Sequence, residues 1–194
     1  MKKLLARVWL WCTGWRVEAI RPDTERFVLI AAPHTTNWDL PYMLAAAWSA
    51  DIQPSWVAKH TIFRGPLGPF FRALGGIAVD RRNRNDAVQQ VVDIFKARER
   101  LHLVIAPEGT RTRVDFWKSG FYWMAHRAAV PIAFGFLDYD RKVAGIGPAI
   151  EPTGDPVADM DEIRDFYEGI RGRYPQEFGP IRLRDEVPEN PASR

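Results

Sequence analysis

The chain has a single cysteine, Cys12, among 194 residues. One thiol excludes a disulfide framework and a thiolate metal cage, and it suits a reducing compartment. Histidine is nearly as scarce, with 4 residues. No cluster has metal-ligand spacing, so neither a metal nor a cofactor is expected. No G-x-S-x-G elbow is present, which removes the usual signature of a serine nucleophile on an α/β sheet. Long hydrophobic runs are missing as well. Near the start, the stretch from Val8 to Trp15 falls far short of the roughly 20 apolar residues that span a bilayer. The opening MKKLLARVWLWCTGW has the basic start of a signal peptide. Arg7 interrupts its apolar run, however, and no small-residue cleavage site follows. No internal repeat is evident.

What remains is ordinary for one globular domain: 46% apolar residues and 26% charged residues in 22.2 kDa. A domain of this length buries about 70% of its unfolded surface, enough to stand without staples. Two features depart from the ordinary. Of 8 Trp, three (Trp9, Trp11 and Trp15) lie in the first fifteen residues. They sit among Lys2, Lys3, Arg7 and Arg16 with no acid between them. That composition fits a helix lying in a membrane interface, because Trp favours the headgroup level and basic groups are drawn to anionic lipid. The alternative is a helix that packs its Trp side chains onto the domain.

The charge is also zoned. The net charge is +3, but Lys59, Arg64, Arg72, Arg81, Arg82 and Arg84 face only one acid, Asp80, in their stretch. Such a zone suits an anionic partner. From Glu151 to Glu189 eleven acids outnumber five Arg, which reads as a solvated face. No nucleic-acid recognition motif accompanies the basic zone.

Apolar runs bounded by turn residues read as short buried strands at 27–32, 55–58, 77–79, 101–106 and 131–137, with another at 143–150. Helical spacing fills the intervals at 39–50, 66–74, 86–98, 117–129 and 159–173. The alternation predicts an α/β layered fold: a mainly parallel mixed sheet flanked by helices. In such sheets the functional groups gather at the carboxyl ends of the strands.

That rule selects three turns. The first is Pro33-His34-Thr35-Thr36-Asn37-Trp38-Asp39. A helix is expected to start near Asn37, capped by Thr36 or Asn37, with Pro41 in its first turn. Asp39 can then orient His34 as a general base acting on a substrate's own hydroxyl. Taken alone, a His with an Asp five residues on also fits a structural His bonded to a turn. The second turn is Pro107-Glu108-Gly109-Thr110-Arg111. Here Gly109 frees the backbone and Arg111 offers a fork for phosphate, with Glu108 able to orient it. The third is Asp80-Arg81-Arg82. Of the remaining histidines, His102 reads as a core residue, His126 lies on a buried helix, and His60 follows Lys59 at a strand end.

These residues resemble a known family. His34 to Asp39 is similar to the H-x-x-x-x-D motif of the glycerolipid acyltransferases, the 1-acylglycerol-3-phosphate acyltransferase family, and Glu108 to Arg111 to their E-G-T-R motif. Phe63 to Gly68, with Gly75 to Arg81, resembles their second motif, and Val130-Pro131-Ile132 their fourth. Phe116 to Gly120 is similar to their K-x-G step. The blocks stand in the family's order across residues 27–137. Pro33 stands where many members carry Asn, and the short Trp-rich segment stands where many carry long hydrophobic helices.

The resemblance implies transfer of a fatty acyl group from a thioester of coenzyme A or acyl carrier protein, as co-substrate, to a lysophospholipid hydroxyl. The default acceptor is 1-acylglycerol-3-phosphate, in phospholipid biosynthesis. It implies His34 as base, Asp39 as its orienter, and Arg81 and Arg111 on the phosphate. Glu108, Gly109 and Thr110 would shape that pocket, and Lys59 and Lys118 are further contacts. The aromatic stripe Phe116, Trp117, Phe121, Trp123 and Met124 reads as core, with an acyl tunnel as the alternative. Other readings are another lysolipid or a small alcohol as acceptor, a thioesterase, or a non-catalytic lipid-binding protein of the same fold. The expected organisation is an N-terminal segment 1–19 as interfacial anchor, an acyltransferase domain 20–180 and a frayed tail 181–194. The expected partners are the thioester donor, an anionic lysolipid and a membrane surface, with no nucleic acid. The expected place is cytoplasmic, peripheral on the inner face of the membrane.

Overall fold

The computed structural model describes residues 1–80 and 84–184. Seven strands form one sheet: β1 (Arg16–Ala19), β2 (Arg26–Ala32), β3 (Pro54–Lys59), β4 (Gly76–Val79), β5 (Leu101–Ile105), β6 (Ile132–Asp138) and β7 (Val143–Ile150). Their order is β1-β7-β6-β2-β5-β3-β4. Only β6 and β7 pair antiparallel, and every other pairing is parallel. The mainly parallel mixed sheet expected from the sequence is therefore present.

The central strands read as unbroken apolar runs because both sheet faces are covered. Along β2, Phe27 and Leu29 point to one side, where they pack with Ala47 and Ile52. Val28, Ile30 and Ala32 point to the other. That second face carries the main core. It is built with Val88, Val91, Val92 and Phe95 of α4 (Arg84–Ala97), Phe121, Tyr122 and Ala125 of α5 (Gly120–Ala128), and Met160, Ile163 and Tyr167 of α6 (Pro156–Tyr167). Trp117, Phe121 and Met124 belong to this core and Trp123 packs against it, whereas Phe116 lies under the Arg182 guanidinium.

The opposite face is covered by α1 (Lys2–Thr13) and α2 (Asp39–Ser49). These two run antiparallel: Lys3 pairs with Asp51 and Lys2 lies over the Trp48 ring, while Trp9 sits 6.0 Å from Tyr42 at the other end. α1 ends where Gly14 turns left-handed at φ 74°, a conformation that glycine adopts without Cβ strain. Ala6 and Leu10 are buried against the domain, whereas Leu4, Leu5, Val8 and Trp11 are exposed.

Several boundaries differ from the sequence reading. β1 was not expected. It is an edge strand, Arg-Val-Glu-Ala, with little apolar signal, and it joins residues 16–19 to the sheet rather than to a separate segment. Trp15 is buried, not interfacial. α2 begins at Asp39 with no side-chain cap from the residue before it. α6 ends at Tyr167 instead of near residue 173, because Gly169 turns left-handed at φ 80°. Residues 181–183 are held rather than frayed: Leu183 is buried, and the Trp117 backbone N–H donates to the Arg182 carbonyl at 2.8 Å. The rest of that expected tail, from 185 on, lies outside the described residues. In the acidic C-terminal zone Asp159 is buried, accepting from the Tyr122 hydroxyl at 2.6 Å and from Thr153.

The remaining piece is an arm between β3 and β4. It consists of a 3-10 turn (His60–Arg64) and the short α3 (Gly68–Ala73). Ile62, Leu67 and Phe70 are exposed on it.

Candidate active site

β2 lies between β5 and β6, and all three run in the same direction. Ile30 stands opposite Ile105, and Ala32 opposite Phe136. The turn after β2, with His34, is therefore flanked on one side by the turn after β5, with Glu108, and on the other by the residues after β6. Topology alone brings together groups about seventy to a hundred positions apart in the chain.

At the centre, His34 Nδ1 lies 3.0 Å from Asp39 Oδ2. The same carboxylate oxygen accepts the backbone N–H groups of Thr35 at 2.9 Å and Thr36 at 3.0 Å. Asp39 Oδ1 accepts the Tyr139 hydroxyl at 2.8 Å. Asp39 is 4% exposed. A buried carboxylate without partners costs several kcal/mol or more, while hydrogen bonds to a charged group contribute about 1.5–3 kcal/mol each. Four donors are enough to hold it there. With Nδ1–H given to Asp39, the lone pair of Nε2 remains available to take a proton. The His34 side chain is 24% exposed. Among the described residues no hydroxyl or thiol side chain is bonded to its ring.

Glu108 does not orient Arg111, as its place in the motif suggested. It is 1% exposed and points inward, where its Oε1 accepts the His34 backbone N–H at 2.7 Å. Its Oε2 has no partner among the described residues. Burial pushes its ionisation up to about 8, against the His34 bond, which favours the charged form, and with the nearby Asp39 charge adding to the rise. Glu108 is thus largely a neutral acid at pH 7, a tether for the His34 turn rather than a counter-ion.

The motif cations lie at the surface beside this core. Gly109 adopts φ 68°, and the Lys118 side chain occupies the place a Cβ there would need. The Lys118 backbone N–H donates to the Pro107 carbonyl at 2.9 Å, which closes the loop around Gly109. Arg111 is exposed, Thr110 bonds the Thr112 hydroxyl at 3.1 Å, and Lys59 is exposed at the end of β3. Arg81 and Arg82 lie outside the described residues. Two of the other histidines make structural contacts. His102 Nδ1 accepts from the Gln53 N–H and its ring stacks on Phe27, and His126 Nδ1 lies 3.1 Å from the Pro152 carbonyl. His60 Nδ1 is buried without a hydrogen bond.

Two contributors had no local signal in the sequence. One is Tyr139. The other is the stretch of chain at 171–174, where the Tyr174 N–H donates to Thr35 Oγ1 at 3.3 Å and the Tyr139 N–H to the Arg171 carbonyl at 2.9 Å. Sheet order was the only route to either.

A mainly parallel α/β sheet with a His–Asp pair and an E-G-T-R turn on adjoining strand ends defines a class, and comparison with known proteins agrees with it. Residues 16–133 match the acyltransferase family, and the chain belongs to that family. A 1-acyl-sn-glycerol-3-phosphate acyltransferase from Streptococcus pneumoniae is 27% identical over an alignment of 161 residues that covers 77% of this chain and 57% of that protein. The chain thus spans a little over half the length of that relative. The crystal structure of the 1-acyl-sn-glycerophosphate (LPA) acyltransferase PlsC from Thermotoga maritima shares the fold. It matches with a TM-score of 0.59 at 18% identity, over 86% of this chain and 73% of that one.

The Glu108 environment sets a pH dependence of stability. Unfolded, the group ionises near its ordinary 4.5, and folded near 8. The folded state therefore holds the extra proton between these values, and the contribution is present below about 4.5 and lost as pH rises toward 8. Glu108→Gln keeps the acceptor for His34 and removes the titration. Its melting temperature should fall less between pH 5 and 8 than that of the parent chain. Parallel curves would contradict the burial argument.

Proposed function

We propose that the chain moves a fatty acyl group from a coenzyme A or acyl carrier protein thioester to the hydroxyl of a lysophospholipid, 1-acylglycerol-3-phosphate before others, in phospholipid biosynthesis. The observation that carries this reading is the His34–Asp39 pair at 3.0 Å with Nε2 left unengaged, at a strand end in an acyltransferase-family chain. The activity named for the Streptococcus pneumoniae relative supports the acceptor.

The chemistry follows from the pair. Nε2 of His34 takes the acceptor's hydroxyl proton as its oxygen attacks the thioester carbonyl. Asp39 holds Nδ1–H and stabilises the imidazolium that forms. The tetrahedral intermediate collapses, the C–S bond breaks, and the thiolate leaves with the proton from His34. No covalent acyl-enzyme is needed.

Arg111, Lys118 and Lys59, with Arg81 from the family motif, are the residues assigned to the acceptor's phosphate. Arg offers it a planar fork and Lys a mobile point charge. Arg111, Lys118 and Lys59 are exposed, open to an anionic head group. Trp38 and Leu40, on either side of Asp39, are exposed with Leu67 and Phe70 of the α3 arm, and supply an apolar border for acyl chains. Thr110 and Gly109 shape the loop between.

The N-terminal helix is assigned to the bilayer surface. No helix of the described residues is long and apolar enough to cross a membrane. The exposed stripe of Leu4, Leu5, Val8 and Trp11 on α1 is an interfacial face. Lys2 and Lys3 are partly engaged in holding α1 to α2, so apolar contact carries more of this docking than charge. We assign the chain a peripheral position on the inner leaflet, with the thioester donor in the aqueous phase.

A positioned base is worth about 10² to 10⁴-fold. His34→Ala should lower thiol release from an acyl thioester plus acceptor by that factor while the circular dichroism spectrum stays unchanged; near-normal turnover would remove His34 from the mechanism. For the membrane face, Leu5→Glu with Trp11→Glu alters two exposed side chains. The double variant should sediment less with phosphatidylglycerol vesicles than the parent chain does, and equal sedimentation would contradict the assignment.

A further inference from the structure

Three donors converge on one oxygen of Asp39, and the other oxygen has a single one. The Cβ–Cγ torsion of a carboxylate is broad and weakly restrained, so each bond it accepts narrows the range of its plane. Donors on both oxygens hold that plane from its two edges. In this chain the second oxygen, Oδ1, accepts from Tyr139 at 2.8 Å.

Tyr139 is itself firmly placed. It leaves β6 at Asp138, which is 1% exposed and accepts the N–H groups of Asp140 and Arg141, each at 3.1 Å, together with Arg141 Nε at 2.6 Å. The Tyr139 ring then meets Trp15 edge-on, with centroids 4.9 Å apart and planes at 89°. Trp15 stacks on Tyr42 at 4.4 Å, and Tyr42 lies one turn along the helix that Asp39 begins. Burial and the bond to Asp39 push the Tyr139 hydroxyl far above the ordinary range for tyrosine, so it remains a donor at any working pH. A neutral donor is the useful kind here, since a Lys or Arg in its place would offset the negative charge that His34 needs during proton transfer.

We infer that Tyr139 is a positioning residue for the His34–Asp39 pair, fixing the plane of the carboxylate, and that Trp15 in turn fixes Tyr139. The inference rests on the acyl-transfer reading above. It also gives the N-terminal segment a second role, because Trp15, just past the end of α1, supports the base while the exposed face of α1 serves as the anchor.

The test is Tyr139→Phe in the full chain, assayed with an acyl thioester and 1-acylglycerol-3-phosphate. Glu108 and Tyr139 face the His34–Asp39 pair, and Tyr42 and Arg173 act on Tyr139. Only the Tyr139 hydroxyl is removed. Loss of a hydrogen bond to a charged group should lower kcat about tenfold, with KM for both substrates within about twofold. Relieved of one donor, Asp39 holds the imidazolium more strongly, so the His34 ring should titrate about half a pH unit higher by NMR. In a His34→Ala background the same change should cost nothing further, because a group acting through His34 has no effect once His34 is gone. Trp15→Phe should retain most of the rate and Trp15→Ala should lose it as Tyr139→Phe does.

An unchanged kcat and an unchanged His34 titration in folded Tyr139→Phe would overturn the inference, as would an equal loss in the His34→Ala background. The NMR titration needs no turnover. If the parent chain consumes no thioester yet Tyr139→Phe shifts His34, the acyl-transfer reading fails and the positioning stands; if the chain is active and neither kcat nor the titration moves, the positioning fails alone.

Discussion

The carboxylate of Asp39 is almost wholly shielded from water, so its hydrogen bonds have to come from the protein. That requirement organises the site. Two of its donors are backbone N–H groups of the His34 turn, so the chain after β2 must wrap tightly around the side chain. A third is the His34 ring, whose free nitrogen then points away from the carboxylate. The fourth comes from Tyr139, which is within reach only because β6 lies directly beside β2. Remove the parallel order of these strands and the carboxylate would be a buried, partly unpaired charge.

The other carboxyl group illustrates the opposite solution. Glu108 is equally hidden but accepts a single backbone bond, at 2.7 Å, and its second oxygen is unpartnered among the described residues. Burial therefore wins and the group takes a proton at neutral pH. Two acidic side chains on adjoining turns thus do different work. Asp39 bonds the His34 ring, and Glu108 is a neutral brace for the backbone that carries that ring. The cations of the same motif are left at the surface, where they can meet an anionic substrate without first being drawn into ion pairs with either acid.

Much of the fold was legible because the central strands are buried on both faces and so read as continuous apolar runs. β1 escaped because an exposed edge strand with one inward residue, Val17, carries no such pattern. The excess length assigned to α6 has a similar origin. Ile170 is buried and continues the helical spacing of Ile163, Phe166 and Tyr167, yet it is delivered by a turn at Gly169. Within the site, the six residues from His34 to Asp39 allowed both a paired His and a structural one, and the structure shows the pair. The true partner of Glu108 was not readable, since an acid three positions from an Arg suggests an ion pair until its burial is known. Tyr139 and the 171–174 stretch had no signal of their own. Their place depends on strand order, which periodicity does not report. The tryptophans divided in the same way: Trp11 kept its exposed position and Trp15 went into the core.

The central claim is that this chain joins an acyl group to an alcohol without passing it through water. The most direct measurement is the product balance of purified chain given an acyl thioester and 1-acylglycerol-3-phosphate, read by mass spectrometry alongside thiol release. The account predicts one diacylated glycerol phosphate for each thiol released, and no thiol release when the acceptor is left out. Thiol release matched by free fatty acid, with or without the acceptor, would contradict it.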